Sequence, residues 1–254
     1  METVFKQFSN MEAESVDLLA IVSYNNIQYQ RLLKERKAMD TRLYDSNDMV
    51  KVACNDCKGC CECCQGMGES IVLDPYDIWQ LEIHFHLSFA ELLQDKIALH
   101  VTDGLILPHM KMQGNLERCV FLNEKGRCDI HPFRPGLCRL FPLGRNYEEG
   151  RLSYFILEDV CPNGNMKVKV KKWLDIPNNK SYEKFLVTWH DLRKELMKQI
   201  ADRQTDMSGM DSASDEWMKQ INTKFLHIFY EETYNDEDFY SQFENRYKQM
   251  RKEW

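Results

Sequence analysis

The chain has 254 residues, a formal net charge of -7 at pH 7 and 43% hydrophobic residues. That length can bury a core without help from metal or disulfides, and an acidic balance with no basic tract argues against a nucleic-acid partner, because phosphate binding needs clustered Lys and Arg. No apolar run reaches membrane-spanning length and the start at Met1-Glu2 lacks the basic and apolar regions of a secretory leader, so a cytoplasmic protein with reduced thiols and no membrane association is expected.

Residues 12 to 39 place Leu18, Ile21, Val22, Tyr29, Leu32 and Leu33 at helical spacing, which predicts a long amphipathic helix. A cysteine-rich loop follows. Ile71, Val72 and Leu73 predict a short strand and Asp74-Pro75 a helix start. Ser88 with Glu91 forms a capping box for a helix through Leu92, Leu93 and Ile97. Two hairpins come next. One runs from Cys119 to His131 around Gly126, with Cys119 and Cys128 near its ends. The other pairs Leu143 to Tyr147 with Leu152 to Leu157 across Glu148, Glu149 and Gly150. Lys167, Lys169, Lys171 and Lys172 alternate with Val168 and Val170, the pattern of a half-exposed strand rather than of a polyanion site.

Beyond Pro177 the pattern is helical. Ser181 is the expected N-cap for Phe185, Trp189, Leu192, Leu196 and Ile200 on one face. Asp202 to Asp215 reads as a polar linker. Trp217, Ile221, Phe225, Ile228 and Phe229 stripe one further helix; Phe239, Phe243, Tyr247 and Met250 stripe another behind an Asp236 cap. These stripes read as core ahead of a docking surface. The expected fold is α+β, mainly helical, with small β-hairpins around a cysteine site. Residues 1–177 form a cysteine-cluster domain with its N-terminal helix, and 178–254 a helical region that packs on it or extends as a tail.

All ten cysteines fall between Cys54 and Cys161. Cys57, Cys60, Cys63 and Cys64 stand at C-x2-C-x2-C-C spacing, where tight turns let several sulfurs face one metal. A disulfide framework fits poorly, since the neighbours Cys60-Cys61 and Cys63-Cys64 are awkward to bridge and the short steps offer many competing pairings. A second frame, Cys54, Cys57, Cys60 and Cys61, is open on spacing alone.

The Cys57 to Cys64 run, the segment Ile71 to Ile78, and the stretch from Cys119 through Cys128 and Cys138 to Pro142 together resemble the YkgJ-type CxxCxxCC proteins, a zinc- or iron-chelating family. The resemblance extends from about Ala53 to Cys161. It implies a cytoplasmic metalloprotein of bacterial type. A relative, the flagellin lysine N-methylase, implies an iron–sulfur centre and a link to protein methylation. Gln65 to Gly68 lead into the following strand as in the family, which favours the Cys57 frame and leaves Cys54 and Cys61 as surplus thiols whose simplest role is apolar filler. The expected metal ligands are then Cys57, Cys60, Cys63, Cys64, Cys119, Cys128, Cys138 and Cys161.

Eight thiols suit an iron–sulfur cluster, Zn2+, or both. The C-x2-C-x2-C run and the Cys161-Pro162 pair follow the ferredoxin pattern and favour iron–sulfur; the same C-x2-C steps also serve zinc. His131 reads as a hydrogen-bonding side chain ahead of a mixed Cys–His ligand. Arg134 and Arg139 either neutralise thiolate charge or form ion pairs. His84 and His86 line a helix face, and Asp74, Asp77 and Glu82 read as helix-start charges. The sequence carries no nucleophile–base arrangement, phosphate loop or cofactor-binding βαβ unit. The expectation is a metal-binding protein whose centre is structural or redox-active and works with a protein partner. The alternatives are an enzyme modifying a protein, and a metal carrier or sensor.

Overall fold

A computed structural model describes residues 42–53, 61–157, 166–206 and 212–252. The expected helix over residues 12 to 39 lies outside them. The fold is α+β: among the described residues helices dominate, and the sheet is confined to four separate two-stranded antiparallel pairs.

β1 (Met49–Ala53) pairs with β8 (Met166–Lys169), with Val50 opposite Val168 and Ala53 opposite Met166. The chain therefore enters the stretch 54–60 and leaves the stretch 158–165 from one end of a single ladder. The lysine run is a strand only to Lys169. Buried Val170 then opens the short helix α4 (Val170–Leu174), because Val170 and Leu174, four residues apart, share one inward face. Trp173 Nε1 donates to the Phe141 carbonyl at 3.2 Å. Lys171 and Lys172 are left on the outer face.

The helix start at Asp74-Pro75 and the capping box at Ser88 form where the sequence places them, and the first also proves to be a capping box. Asp74 caps α1 (Pro75–Phe85) and Ser88 caps α2 (Phe89–Asp95), each reciprocated by the residue three places on. The Ile71 to Leu73 strand is reduced to one bridge, Val72 to His109, flanked by the Leu73 N–H on the Pro108 carbonyl at 2.8 Å. The second helix stops at Asp95, and Ile97 instead opens β2 (Ile97–Thr102), which pairs in full register with β3 (Leu105–Met110). Asp103 and Gly104 turn this hairpin with φ of 49° and 81°, the left-handed pair that a two-residue turn needs.

The first expected hairpin forms only in part. Leu122 bridges Cys128 around Gly126, but Cys119, on β5 (Arg118–Cys119), pairs with Met112 on β4 (Met112–Gln113). The second forms as expected from β6 (Leu143–Glu148) and β7 (Arg151–Ile156). Between them, α3 (Gly136–Leu140) carries Cys138.

The C-terminal helices are α5 (Asn179–Asp206), α6 (Ser212–Leu226) and α7 (Phe239–Lys252), with a π-helical turn over His227–Glu231. Ser181 lies inside the first turn of α5 rather than before it. Helix occupies 202–206 and 212–215 of the expected linker, whose remainder lies outside the described residues. The cap of α7 is Asp238, whose Oδ1 accepts from Tyr240 and Ser241, in place of Asp236.

The aromatic stripes are core. Leu196, Phe225, Phe229, Phe239 and Met250 join Leu73, Leu81, Leu92 and Leu105 in one buried cluster, so the described tail shares its apolar interior with α1, α2 and the β2–β3 hairpin. Burial of this much apolar surface is the main stabilising term. Polar clamps fix its register: Asn222 of α6 accepts from the Ile106 N–H at 2.7 Å and donates to the Gly104 carbonyl at 3.0 Å. A second, smaller cluster unites Val50 and Val52 with Leu140, Leu143, Tyr154, Val170 and Leu174.

Candidate metal centre

Three segments carry the described site cysteines. A 3-10 turn over Glu62–Cys64 holds Cys63 and Cys64, closed by the Cys64 N–H on the Cys61 carbonyl at 2.9 Å. It is tied to the β4–β5 turn by the Gly66 N–H, which donates to the Leu116 and Glu117 carbonyls at 3.3 and 3.2 Å. That turn leads into Cys119, and the Asn123–Gly126 turn returns the chain to Cys128. The third segment is α3, with Cys138.

α3 is locked by a long-range bond from α1. Asp77 completes the α1 capping box, and its Oδ1 also accepts from the Gly136 N–H at 2.8 Å. Only glycine fits here, since a Cβ at 136 would stand 2.1 Å from the Tyr182 hydroxyl. Asp74 and Asp77 are buried, which raises both carboxyls above the usual range, Asp77 further because Asp74 lies beside it. They are thus structural acids that join α1 to the cysteine segment, beyond the helix-start role read from sequence. Glu82 is also buried; this raises its pKa to about 7 and takes it out of the class of helix-start charges.

Arg139 donates to backbone carbonyls of Pro132, Arg134, Leu174 and Asp175, at 2.5, 2.9, 3.5 and 3.1 Å respectively. It therefore staples α3 to the end of α4. Among the described residues it forms no ion pair, so of the two roles expected for it the ion pair is not found. Arg134 lies close enough to Cys128 to favour its thiolate, and its Nη1 donates to His131 Nε2. That bond occupies one imidazole nitrogen of His131. His84 stacks on Phe133 at 3.9 Å, and exposed His86 ends α1 with a left-handed φ of 53°.

The cysteines are half-buried thiols that act on one another. Cys64 is raised by its hydrogen bond with Cys63, then by burial and by the charges of Cys63, Cys128 and Cys138. Burial pushes Cys119 up to about 11, with Cys128 and Cys63 adding to it. Cys128 is raised by burial, with Cys63 adding to the effect, and Cys138 is raised well above the usual range by burial, then by Cys119 and Cys63. Cys63, Cys64, Cys119, Cys128 and Cys138 therefore share one electrostatic neighbourhood. Neighbouring thiolates oppose one another's ionisation unless a cation compensates, which is the chemistry a metal-binding thiolate set uses. Among the described residues, no group of three or more His, Cys, Asp and Glu side chains is itself arranged to hold a metal ion. Cys57, Cys60 and Cys161 lie outside the described residues, as does Cys54. Cys61 accepts from Gln65 Nε2 at 2.9 Å.

Sequence reasoning missed the Asp77–Gly136 bond and the Arg139 staple. The first had a partial signal in the helix start at Asp74-Pro75, which places Asp77 in the first turn of α1. Neither long-range partner, 59 residues away for Gly136 and 36 for Asp175, has any local signature.

Among the described residues no helix is long and apolar enough to cross a membrane. Residues 53–162 match a family model named CxxCxxCC and described as "Putative zinc- or iron-chelating domain". No curated protein and no solved structure matches the chain.

Proposed function

We propose that this protein, whose residues 53–162 match the CxxCxxCC family model, binds metal through a centre ligated by Cys57, Cys60, Cys63, Cys64, Cys119, Cys128, Cys138 and Cys161. The observation that carries the reading is that Gly66 ties the Cys63–Cys64 turn to the β4–β5 turn leading into Cys119; in line with this, Cys63 and Cys128 raise the thiols of Cys64, Cys119 and Cys138. The β1–β8 ladder supports the inclusion of Cys161 with the Cys57 loop, because Ala53 and Met166, the anchors of the two stretches, are register partners.

An iron–sulfur cluster is favoured over Zn2+. The C-x2-C-x2-C run with Cys161-Pro162 follows the ferredoxin pattern, and C-x2-C pairs are the common ground of both metals. Such a cluster supplies one-electron transfer when bound, and zinc supplies a closed structural crosslink. The protein's own residues do the rest. Asp77 and Gly136 orient α3 and its Cys138, Arg139 holds that helix against α4, and Arg134 offsets thiolate charge at Cys128. The sequence offers no nucleophile with its base, so the centre is read as working with a protein partner, structurally or by electron transfer.

Anaerobic purification followed by metal and acid-labile sulfide analysis tests the proposal. Iron with matching sulfide and a visible absorbance bleached by reductant supports it. Colourless protein with stoichiometric zinc removes the iron–sulfur reading, and protein free of bound metal removes the whole proposal.

A further inference from the structure

Beside the cysteine segments lies a cavity of about 590 Å³ whose wall is built from the 132–139 stretch, α1 and α4. That volume is of the order of twenty waters at ~30 Å³ each, and it falls within the range of small-molecule sites. Its lining is unusual in charge. Arg134, Arg139, Lys171 and Lys172 face it together with the carboxylates of Asp77 and Asp175. Four cations against two acids leave a formal surplus of two positive charges.

Local structure explains how the cations meet. α4 turns Val170 and Leu174 into the smaller core, which leaves Lys171 and Lys172 outside, and Arg139 pins the end of α4 to the Arg134 loop. Among the described residues none of the four cations forms an ion pair, and Arg134 Nε is buried with no hydrogen-bond partner. Asp77 is already committed, its two oxygens accepting from Gly136 and Asp74 at 2.8 and 3.2 Å.

We propose that this cavity binds a phosphate monoester of a small organic molecule, with Lys171, Lys172 and Arg134 on the phosphate. A phosphate monoester carries about -1.5 to -2 charges at neutral pH and three acceptor oxygens, which matches the surplus charge. The space beyond a single oxyanion, walled in part by Pro132, Ile176 and Pro177, takes the organic group. This goes beyond the metal reading: Arg134 also lies near Cys128, but Lys171 and Lys172 are not near-sequence neighbours of any proposed ligand, so their substitution tests the cavity separately from the metal.

The test is calorimetric titration of the full-length, metal-loaded protein with phenyl phosphate, inorganic phosphate and benzoate. Phenyl phosphate should bind saturably and more tightly than either of the others. The double variant Lys171→Gln/Lys172→Gln should weaken it by about tenfold or more, the loss expected for charge-assisted bonds, with metal content unchanged. Lys248→Gln, on α7 and outside the cavity, should bind as the wild type does. Absent saturation, equal affinity in the double variant, or equal loss in Lys248→Gln would overturn the site. Inorganic phosphate or benzoate binding as tightly as phenyl phosphate would overturn the assignment to a monoester.

Discussion

Glu82 is the clearest electrostatic liability in the described core, and replacing it by Gln isolates its contribution. The side chain sits on α1 at 7% exposure, and neither carboxylate oxygen has a hydrogen-bond partner. Burial raises its pKa from 4.5 to about 7; the Phe89 N–H, which approaches without meeting hydrogen-bond geometry, and the Arg246 guanidinium pull the other way without cancelling it. Arg246 contributes only at a distance because its donors are committed to the Ile228, Glu232 and Thr233 carbonyls. Below pH 4.5 the carboxyl is protonated in both the folded and unfolded chain and costs nothing. Above about pH 7 it is ionised in both, and the folded state bears the full burden. At ~1.4 kcal/mol per pH unit, this difference is about 3 kcal/mol, lost progressively as pH rises between the two values. That is a large share of a typical stability of about 5–15 kcal/mol. Urea unfolding of wild type and Glu82→Gln at constant metal occupancy, from pH 5 to 8, measures it. The stability difference should move in favour of the variant by about 2–3 kcal/mol across that range. Parallel pH profiles for the two proteins would refute the reasoning.

Other changes should register in different observables. Gly136→Ala drives a methyl into the Tyr182 hydroxyl, and Tyr182 is 0% exposed between Tyr76 and Phe185, so denaturant unfolding should report a loss of about 1–3 kcal/mol; an unchanged midpoint would contradict the packing described for α3. Arg246→Met strands three backbone carbonyls and removes the cation from the face of Tyr234 at 3.5 Å, a loss of about 2–4 kcal/mol that should lower the thermal midpoint by several degrees. Metal analysis of single Cys→Ser variants decides the ligand frame: Cys54→Ser and Cys61→Ser should retain most metal while Cys60→Ser and Cys63→Ser lose it, and loss in Cys54→Ser and Cys61→Ser with retention in Cys63→Ser would make Cys54, Cys57, Cys60 and Cys61 the ligands.

Local signals in the sequence were read well where they were self-contained. The helix start at Asp74-Pro75, the capping box at Ser88 and the Glu149-Gly150 hairpin each require only residues within a few positions of one another. The β2–β3 hairpin was within reach of the same logic. Asp103-Gly104 is a turn signal, but Ile97 reads with the preceding helical stripe through Leu92 and Leu93. Cys119 shows the limit of local reading: its partner Met112 precedes it across Gly114, whereas the Gly126 turn attracted attention on the other side. The clustering of the thiols depends on contacts with no local trace, among them the Gly66 bonds to the β4–β5 turn, Asp77 on Gly136, and Arg139 on α4. The cationic cavity is hidden for the same reason, since Arg134 and Lys171 lie far apart in the chain and meet only through that staple.

The central claim is that α3 and the Cys119–Cys128 segment deliver ligands to the same centre as the Cys57–Cys64 loop. The most direct measurement is metal per chain in anaerobically prepared wild type, Cys63→Ser and Cys138→Ser. A missing thiolate opens a coordination position and removes binding energy coupled to folding, so both variants should lose most of their metal, and to a similar degree. Full occupancy in Cys138→Ser beside loss in Cys63→Ser would contradict a shared centre and confine the metal to the N-terminal cysteine loop.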